Sequence, residues 1–286
     1  MFIDGNTLST IEKNQDGSAT LKLYNKKRIV FEKTYKSWTI AKQQEGKRLK
    51  EMEKAACIVT IPERCLIAFN EAKARLFAGQ EMHVHFSDGN TKTHIPSIDL
   101  LPHVTCHGRC RELCGKVAPG KKCAPCYADK IVSRFPDAMR NYSENTVLAI
   151  FRPDQYWKEV SEKMFTCRFM RLFVSGDMII AGYFENLCKT LINNPHCQVQ
   201  GFTKCYEIVN KYIQENGKIP DNLHLLFSGW YEYKAINPFN MPESRVYDDE
   251  LPAGWLSCGG DCSACACVGL GCWKAAAGDI VGLKRH

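Results

Sequence analysis

The residues of this chain most suited to chemistry are its cysteines. Sixteen cysteines occur among 286 residues, and ten of them fall in two short segments. Residues 106–126 have the spacing C-x3-C-x3-C-x8-C-x2-C, and residues 258–272 have C-x3-C-x2-C-x1-C-x4-C. Thiols this dense, in a chain too long to need disulfide staples and without an export signal, are typical of a metal-binding protein. The ten candidate metal ligands are Cys106, Cys110, Cys114, Cys123, Cys126, Cys258, Cys262, Cys265, Cys267 and Cys272.

The spacing favours an iron–sulfur cluster over zinc. Several cysteines in one loop can reach one centre, and glycines let the backbone approach the sulfur atoms. The C-x3-C-x2-C pattern that begins at Cys258 favours a 4Fe–4S cluster, whereas zinc sites more often pair C-x2-C units from separate segments. Zinc is the alternative. Ten thiols exceed the ligands of two four-ligand sites, so Cys267 and either Cys110 or Cys123 are the expected spares, and one shared site or two separate sites are both open.

Composition limits the protein classes that can hold these loops. The chain is 45% hydrophobic and 24% charged, as soluble globular proteins are. It has no run of about 18 apolar residues and no signal-peptide pattern, so a cytoplasmic protein without membrane contact is predicted. The formal net charge of +7 gives only weak support for nucleic acid as a partner.

Two regions are predicted to position the cysteines. Residues 1–100 form a small α+β element, with a hairpin at 17–33, helices at 35–57 and 63–79, and a second hairpin at 81–97. Residues 101–286 alternate apolar runs with helical patterns. Strands are predicted at 146–151, 169–177, 197–203 and 223–230, helices at 153–164, 181–194 and 204–217, and a loop at 232–254. The predicted fold class is α/β, a partial, open parallel (β/α) barrel that carries the two cysteine loops.

Four short sequence motifs carry a family resemblance: CAPCYADK, LFVSGD, GFTKCYE, and a final GCW before a terminal histidine. They resemble the gene product 88 family of phages and their bacterial relatives, over roughly residues 100–286. A weaker resemblance is to the radical S-adenosylmethionine superfamily, which implies a partial or full (β/α) barrel with a 4Fe–4S cluster on a three-cysteine loop near its start. The present chain departs from that superfamily, because C-x8-C-x2-C stands at the barrel start and C-x3-C-x2-C begins only at Cys258.

The superfamily resemblance implies roles for particular residues. The reactive cluster would be held by Cys114, Cys123 and Cys126, with Tyr127 beside the last ligand. The strand-end residues that hold the amino group of S-adenosylmethionine would correspond to Ser175, Gly176 and Asp177. The late loop would bind an auxiliary cluster through Cys258, Cys262, Cys265 and Cys272.

The sequence thus predicts an iron–sulfur enzyme of the radical S-adenosylmethionine type that acts on an unknown substrate. Thr203, Lys204 and Ser228, at the ends of later strands, are expected to contact that substrate. A reductase or other electron donor is an expected partner. The alternatives are a non-catalytic iron–sulfur or zinc protein that binds nucleic acid or a protein partner, and an electron-transfer protein.

Overall fold

A computed structural model describes residues 7–25, 28–45, 61–89, 94–108, 110, 126–229 and 235–284. The chain divides into two compact units, Met1–Val59 and Thr60–His286. The sequence placed this boundary near residue 100. It falls earlier because residues 63–98 contribute a helix and two strands to the larger unit, and one of these strands pairs with the central sheet.

The smaller unit is a three-stranded antiparallel sheet followed by a helix. Its strands lie in the order β1 (Thr7–Lys13), β2 (Ala19–Asn25) and β3 (Arg28–Tyr35). The pairing of β2 with β3 confirms the predicted hairpin, and β1 was not predicted. The predicted helix at 35–57 is confirmed over residues 38–45 (α1); Tyr35 ends β3, residues 36–37 form a bend, and residues 46–57 lie outside the described residues.

The larger unit is built on a mostly parallel sheet in the order β10-β11-β9-β8-β7-β6-β5-β4. The strands are β4 (Phe86–Ser87), β5 (Ser97–Ile98), β6 (Phe169–Leu172), β7 (Gln198–Thr203), β8 (Leu223–Ser228), β9 (Glu243–Tyr247), β10 (Leu256–Ser257) and β11 (Ile280–Lys284). Its helices are α2 (Glu63–Phe77), α3 (Tyr127–Arg134), α4 (Pro136–Phe151), α5 (Pro153–Thr166), α6 (Tyr183–Asn193), α7 (Tyr206–Asn216) and α8 (Cys262–Val268). Within the described ranges, no helix has both the length and the apolar character that crossing a bilayer requires.

Strands β5 to β9 are neighbours in chain order and run parallel. Right-handed crossovers that always step in the same direction put every connecting helix on one face of the sheet. That face carries the main apolar core, where α4 to α7 pack on buried side chains of Met170, Leu172, Val199, Leu225 and Phe227. A mixed α/β fold with an open parallel sheet is therefore confirmed, while the curvature of a partial barrel stays a prediction.

The opposite face of the sheet is polar. Side chains alternate between the two faces of a strand, so Arg171, Gln200 and His224, which are in register across β6, β7 and β8, point away from the helices. The C-terminal segment covers part of this face. The ring of Trp273 lies 5.4 Å from that of Phe169 and 5.5 Å from that of His224.

Two predictions about the larger unit were wrong. The apolar run at 146–151 is the end of α4, which is buried over most of its circumference and so lacks the one-sided pattern of a surface helix. The predicted loop at 232–254 contains β9, which pairs with β8 on one side and β11 on the other. Short strands joined by loops give no alternation of strand and helix, so the pattern could not reveal them.

Candidate functional site

Three of the predicted cofactor residues lie in the loop after β6, at the carboxyl edge of the sheet. Within this loop, Ser175 donates from its N–H to Asp99 Oδ1 over 2.9 Å and from Oγ to the carbonyl of Leu100 over 3.0 Å. Gly176 has a φ of 77°, and a Cβ there would lie 2.7 Å from Leu100 Cβ. The loop after β6 is thus fixed against the loop after β5, with Asp177 as the next residue.

The carboxylate of Asp177 is buried and satisfied by the chain itself. It accepts hydrogen bonds from the N–H of Met178 at 2.8 Å, the hydroxyl of Thr203 at 2.6 Å and the N–H of Lys204 at 2.8 Å. Burial raises the pKa of Asp177, and these hydrogen bonds oppose the rise. Because its acceptor capacity is used within the protein, Asp177 ties the loop after β6 to the loop after β7.

The predicted substrate residues adjoin this carboxylate. Lys204 Nζ donates to Ser228 Oγ over 2.8 Å, so the ends of β7 and β8 are also linked. The hydroxyl of Tyr206 donates to the carbonyl oxygen of Ser228. Asp177, Thr203, Lys204 and Ser228 therefore form one connected group along the carboxyl edge, where parallel sheets commonly bind ligands.

Backbone strain occurs at the same edge. Phe173, directly after β6, has a φ of 56°, and His103, in the loop after β5, has a φ of 63°. Both residues are buried. Left-handed conformations of such residues cost on the order of 1–3 kcal/mol and persist where the surrounding structure imposes them, most often at functional sites. The strain supports a site at this edge.

The first cysteine segment lies partly beside this edge. Cys106, Cys110 and Cys126 are described, whereas Cys114 and Cys123 lie outside the described residues. A hydrogen bond with the Cys110 thiol, followed by burial, holds the pKa of Cys106 well above its usual value. The charge of the Asp177 carboxylate adds to this rise, so the Cys106 thiol is close to the loop after β6.

Tyr127 begins α3, next to Cys126, and reaches the same loop. Its ring is exposed, but its hydroxyl donates a hydrogen bond to the carbonyl of Val174. Burial of the hydroxyl raises its pKa, the Asp99 carboxylate adds to the rise, and Arg171 opposes it. The start of α3 is thereby attached to the exit of β6, close to a buried carboxylate and a guanidinium.

The second cysteine segment has a well-defined backbone. The N–H of Cys258 donates to the carbonyl of Gly282 over 3.1 Å, which aligns the segment with β11. Asp261 caps α8 by accepting from the N–H of Ala264 at 3.0 Å, and this bond lowers the pKa of Asp261. Gly269, with a φ of 64°, ends the helix. Cap and glycine confine the α8 cysteines to a short helix of about two turns.

Four thiols of this segment are neighbours of one another. Burial, with the added effect of three nearby thiols and against the charge of Arg171, raises the pKa of Cys272 to about 12. Burial also raises the pKa of Cys262, with the same guanidinium opposing the rise. The thiol of Cys267 is exposed and separate from the group. The neighbouring thiols are Cys258, Cys262, Cys265 and Cys272.

The thiols are adjacent without having the geometry of a bound metal. Within the described ranges, no group of three or more His, Cys, Asp or Glu side chains is arranged to hold a metal ion. Ligation by the second segment therefore requires its side chains to move. The first segment has two of its five cysteines outside those ranges.

Three residues near the site were not predicted from the sequence: Asp99, Arg171 and Gln200. Asp99 accepts from the hydroxyl of Ser97 over 2.8 Å, and Arg171 Nε donates to Gln200 Oε1 over 3.3 Å. The signal that could have found them is the alternation of polar with apolar residues in FMRL and QVQG, which indicates a strand with one polar face.

A family model described as Gene product 88 matches residues 72–269, more than half of the chain. The chain belongs to the gene product 88 family. The match begins in α2, whereas the resemblance in the sequence was placed over roughly residues 100–286. The family therefore includes part of the first hundred residues. It takes in the carboxyl-edge residues and the first segment, but ends at Gly269, before Cys272. Neither a curated protein nor a solved structure matches the chain significantly, and none of the comparisons links it to the radical S-adenosylmethionine superfamily.

The family description names no reaction and no ligand. Membership of the gene product 88 family is consistent with the predicted phage relationship.

Proposed function

We propose that this protein holds an iron–sulfur cluster on its C-terminal cysteine loop, against the polar face of the sheet. The observation that carries the proposal is the grouping of Cys272 with three other partly buried thiols, each close enough to affect the ionisation of Cys272. The proposed ligands are Cys258, Cys262, Cys265 and Cys272.

The ionisation of these thiols supports a bound metal centre. Burial and the neighbouring thiols raise the pKa of Cys262 and Cys272, so both stay protonated near neutral pH when no cation is present. Metal centres bind the thiolate form and release the protons, so ligation would offset the electrostatic cost of placing these thiolates side by side. The C-x3-C-x2-C spacing favours an iron–sulfur cluster, and zinc would use the same four sulfur atoms.

We propose further that the protein is an enzyme of the radical S-adenosylmethionine type. Support comes from the chain order of β5 to β9, with helices on one face, and from the strained loops at the carboxyl edge. A second cluster, on the first cysteine segment, would supply the electron that cleaves S-adenosylmethionine. Cys126 would be one ligand of that reactive cluster, with the two cysteines that lie outside the described residues.

The chain's own part in this proposal is positioning. Asp177 keeps its hydrogen bonds to Thr203 and Lys204 and so holds two loops in place, instead of binding the amino group of S-adenosylmethionine. The ammonium of Lys204 and the hydroxyl of Ser228 lie together at the edge. They would hold an acidic or hydroxyl group of a substrate.

Metal analysis tests the first proposal. Anaerobically purified or reconstituted protein should contain about four iron and four acid-labile sulfide per cluster and absorb near ~400 nm. Replacement of Cys262 or Cys272 by serine should lower the iron and sulfide content of the C-terminal site. Cys267→Ser is the matched control, because its exposed thiol lies on the same helix, and it should keep the full content. Zinc as the bound metal, or undiminished iron in the Cys262→Ser and Cys272→Ser proteins, would contradict the proposal.

A binding assay tests the enzymatic proposal separately. Cluster-loaded protein should bind S-adenosylmethionine and, with dithionite, release deoxyadenosine and methionine. Asp177→Asn should weaken binding only as far as it loosens the loops, and Lys204→Ala should leave cofactor cleavage intact while altering turnover of a substrate. Loaded protein that binds no S-adenosylmethionine would overturn the enzymatic proposal and favour electron transfer.

A further inference from the structure

The polar face holds a buried hydrogen-bond donor with no acceptor in the described part of the chain. The side chain of Gln200, on β7, is 2% exposed. Its Oε1 accepts from Arg171 Nε over 3.3 Å, while its Nε2 has no hydrogen-bond partner among the described residues. Because Arg171 can only donate, it fixes the oxygen of the amide on its own side. The NH2 group of Gln200 is therefore left to donate elsewhere.

Arg171 is a second donor on the same face. It is in register with Gln200 on the adjacent strand, so both side chains leave the sheet in the same direction. The bond to Gln200 uses its Nε, and no further hydrogen bond or ion pair of the Arg171 side chain is found in the described part of the chain. Two neighbouring side chains thus present N–H groups to one region.

The region that they face is occupied by the C-terminal cysteine loop. Phe169, two residues before Arg171 and on the same face of β6, packs edge-on against Trp273. Cys262 and Cys265 pack on the same small apolar cluster. The C-terminal thiols therefore lie on the face of the sheet from which Arg171 and Gln200 project.

We propose that Arg171 and Gln200 donate hydrogen bonds to sulfur atoms of the centre held by the C-terminal loop, and that they set its reduction potential. This inference rests on the proposed iron–sulfur cluster. A cluster with four thiolate ligands is negatively charged, and hydrogen bonds to its sulfur atoms tune its potential. Cluster sulfur would supply the acceptor that the Gln200 amide lacks.

The sign of the effect follows from charge. Reduction adds one negative charge to the cluster, so donors stabilise the reduced form more than the oxidised form. Arg171 and Gln200 therefore shift the potential in the positive direction, and their removal shifts it in the negative direction. In this way the polar face would make the cluster easier to reduce.

Redox titration of cluster-loaded protein tests the inference. Gln200→Leu and Arg171→Met should each move the midpoint potential to a more negative value, with Arg171→Lys in between because it keeps the charge. Gln198→Leu is the matched control: it removes an amide from the same face of the same strand, where its Oε1 is paired with His224 at 2.9 Å. The control should keep the wild-type potential, and iron and sulfide content should be measured for every variant.

A spectroscopic measurement keeps the inference testable if a variant fails to fold. In the reduced wild-type protein, electron–nuclear double resonance should detect exchangeable protons close to the cluster, and deuterium oxide should remove their signal. Loaded Gln200→Leu and Arg171→Met proteins with the wild-type potential, or a wild-type cluster without such protons, would overturn this inference alone. Wild-type protein that takes up no iron and sulfide would overturn the proposed cluster and this inference together.

Discussion

Replacement of Gly176 by alanine tests how closely the loops after β5 and β6 approach each other. A Cβ at this position would lie 2.5 Å from Thr105 Oγ1 and 2.7 Å from Leu100 Cβ, both far inside contact distance. The backbone φ of 77° is also unfavourable for any residue with a side chain. Gly79 is the matched control, since its φ is 81° and an added Cβ would meet nothing within 4 Å.

The two substitutions separate backbone strain from steric overlap. A left-handed conformation costs roughly 1–2 kcal/mol for a residue other than glycine. Overpacking of a rigid interior costs about 1–3 kcal/mol more. Gly79→Ala should therefore lower the free energy of unfolding by about 1–2 kcal/mol, and Gly176→Ala by about 2–5 kcal/mol. Their difference measures the overlap alone.

Equilibrium unfolding in urea, followed by circular dichroism and tryptophan fluorescence, provides the measurement. Thermal unfolding gives a second measure, because about 1 kcal/mol shifts the melting temperature of a domain of this size by roughly 2–4 °C. The Gly176→Ala protein should melt about 4 °C or more below wild type.

Equal losses in the two variants would refute the close packing of these loops. The consequence would reach the site, because Ser175 and Asp177 flank Gly176 and owe their positions to this contact. A large loss confined to Gly176→Ala would support a rigid carboxyl edge.

Three further predictions concern the cysteines and their covering segment. In reduced, metal-free protein near pH 8, iodoacetamide should label exposed Cys267 at least ~10-fold faster than Cys188, because burial raises the pKa of Cys188 to about 12. Peptide mass spectrometry measures the two labelling rates, and equal rates would contradict the prediction. The pKa of Cys272 rises from 9.0 to about 12 on folding, so its stabilising effect is complete below pH 9 and is lost as the pH rises toward 12. Cys272→Ala should accordingly flatten the alkaline fall of the urea midpoint, and an unchanged fall would count against this linkage. Trp273→Ala, at a buried site, should lower the free energy of unfolding by about 3–5 kcal/mol, while Val268→Ala, at an exposed site, should change it by less than about 0.5 kcal/mol; similar urea midpoints for the two variants would refute the covering role of Trp273.

Local pattern was enough for much of the larger unit. Helices α5, α6 and α7 and strands β6, β7 and β8 lie where periodicity predicted them, because each helix keeps one face in water and each strand is short and bounded by turns. Their alternation predicted parallel strands in chain order. It also predicted that residues after different strands would meet at one edge, as the bond between Asp177 and Thr203 confirms.

Prediction from local pattern failed for elements that are defined mainly by their tertiary contacts. Helix α4 is buried at every position from Ser143 to Ala149, so the run TVLAIF lacks the one-sided pattern of a surface helix and was predicted as a strand. Strands β9, β10 and β11 are short, and only their parallel neighbours define them. The domain boundary was misplaced for the same reason, since β5 belongs to the sheet through its pairing with β6.

The sequence by itself determined the cysteine-rich loops, the α/β class and the family, since these depend on residue types and spacing along the chain. Which side chains lie beside the C-terminal loop depends on the tertiary structure. Arg171 and Gln200 stand in ordinary strand positions, and Trp273, which packs on the same face of the sheet through Phe169, comes more than seventy residues later in the chain. The burial of a polar side chain depends on what packs over it, and the sequence around that side chain does not contain this information.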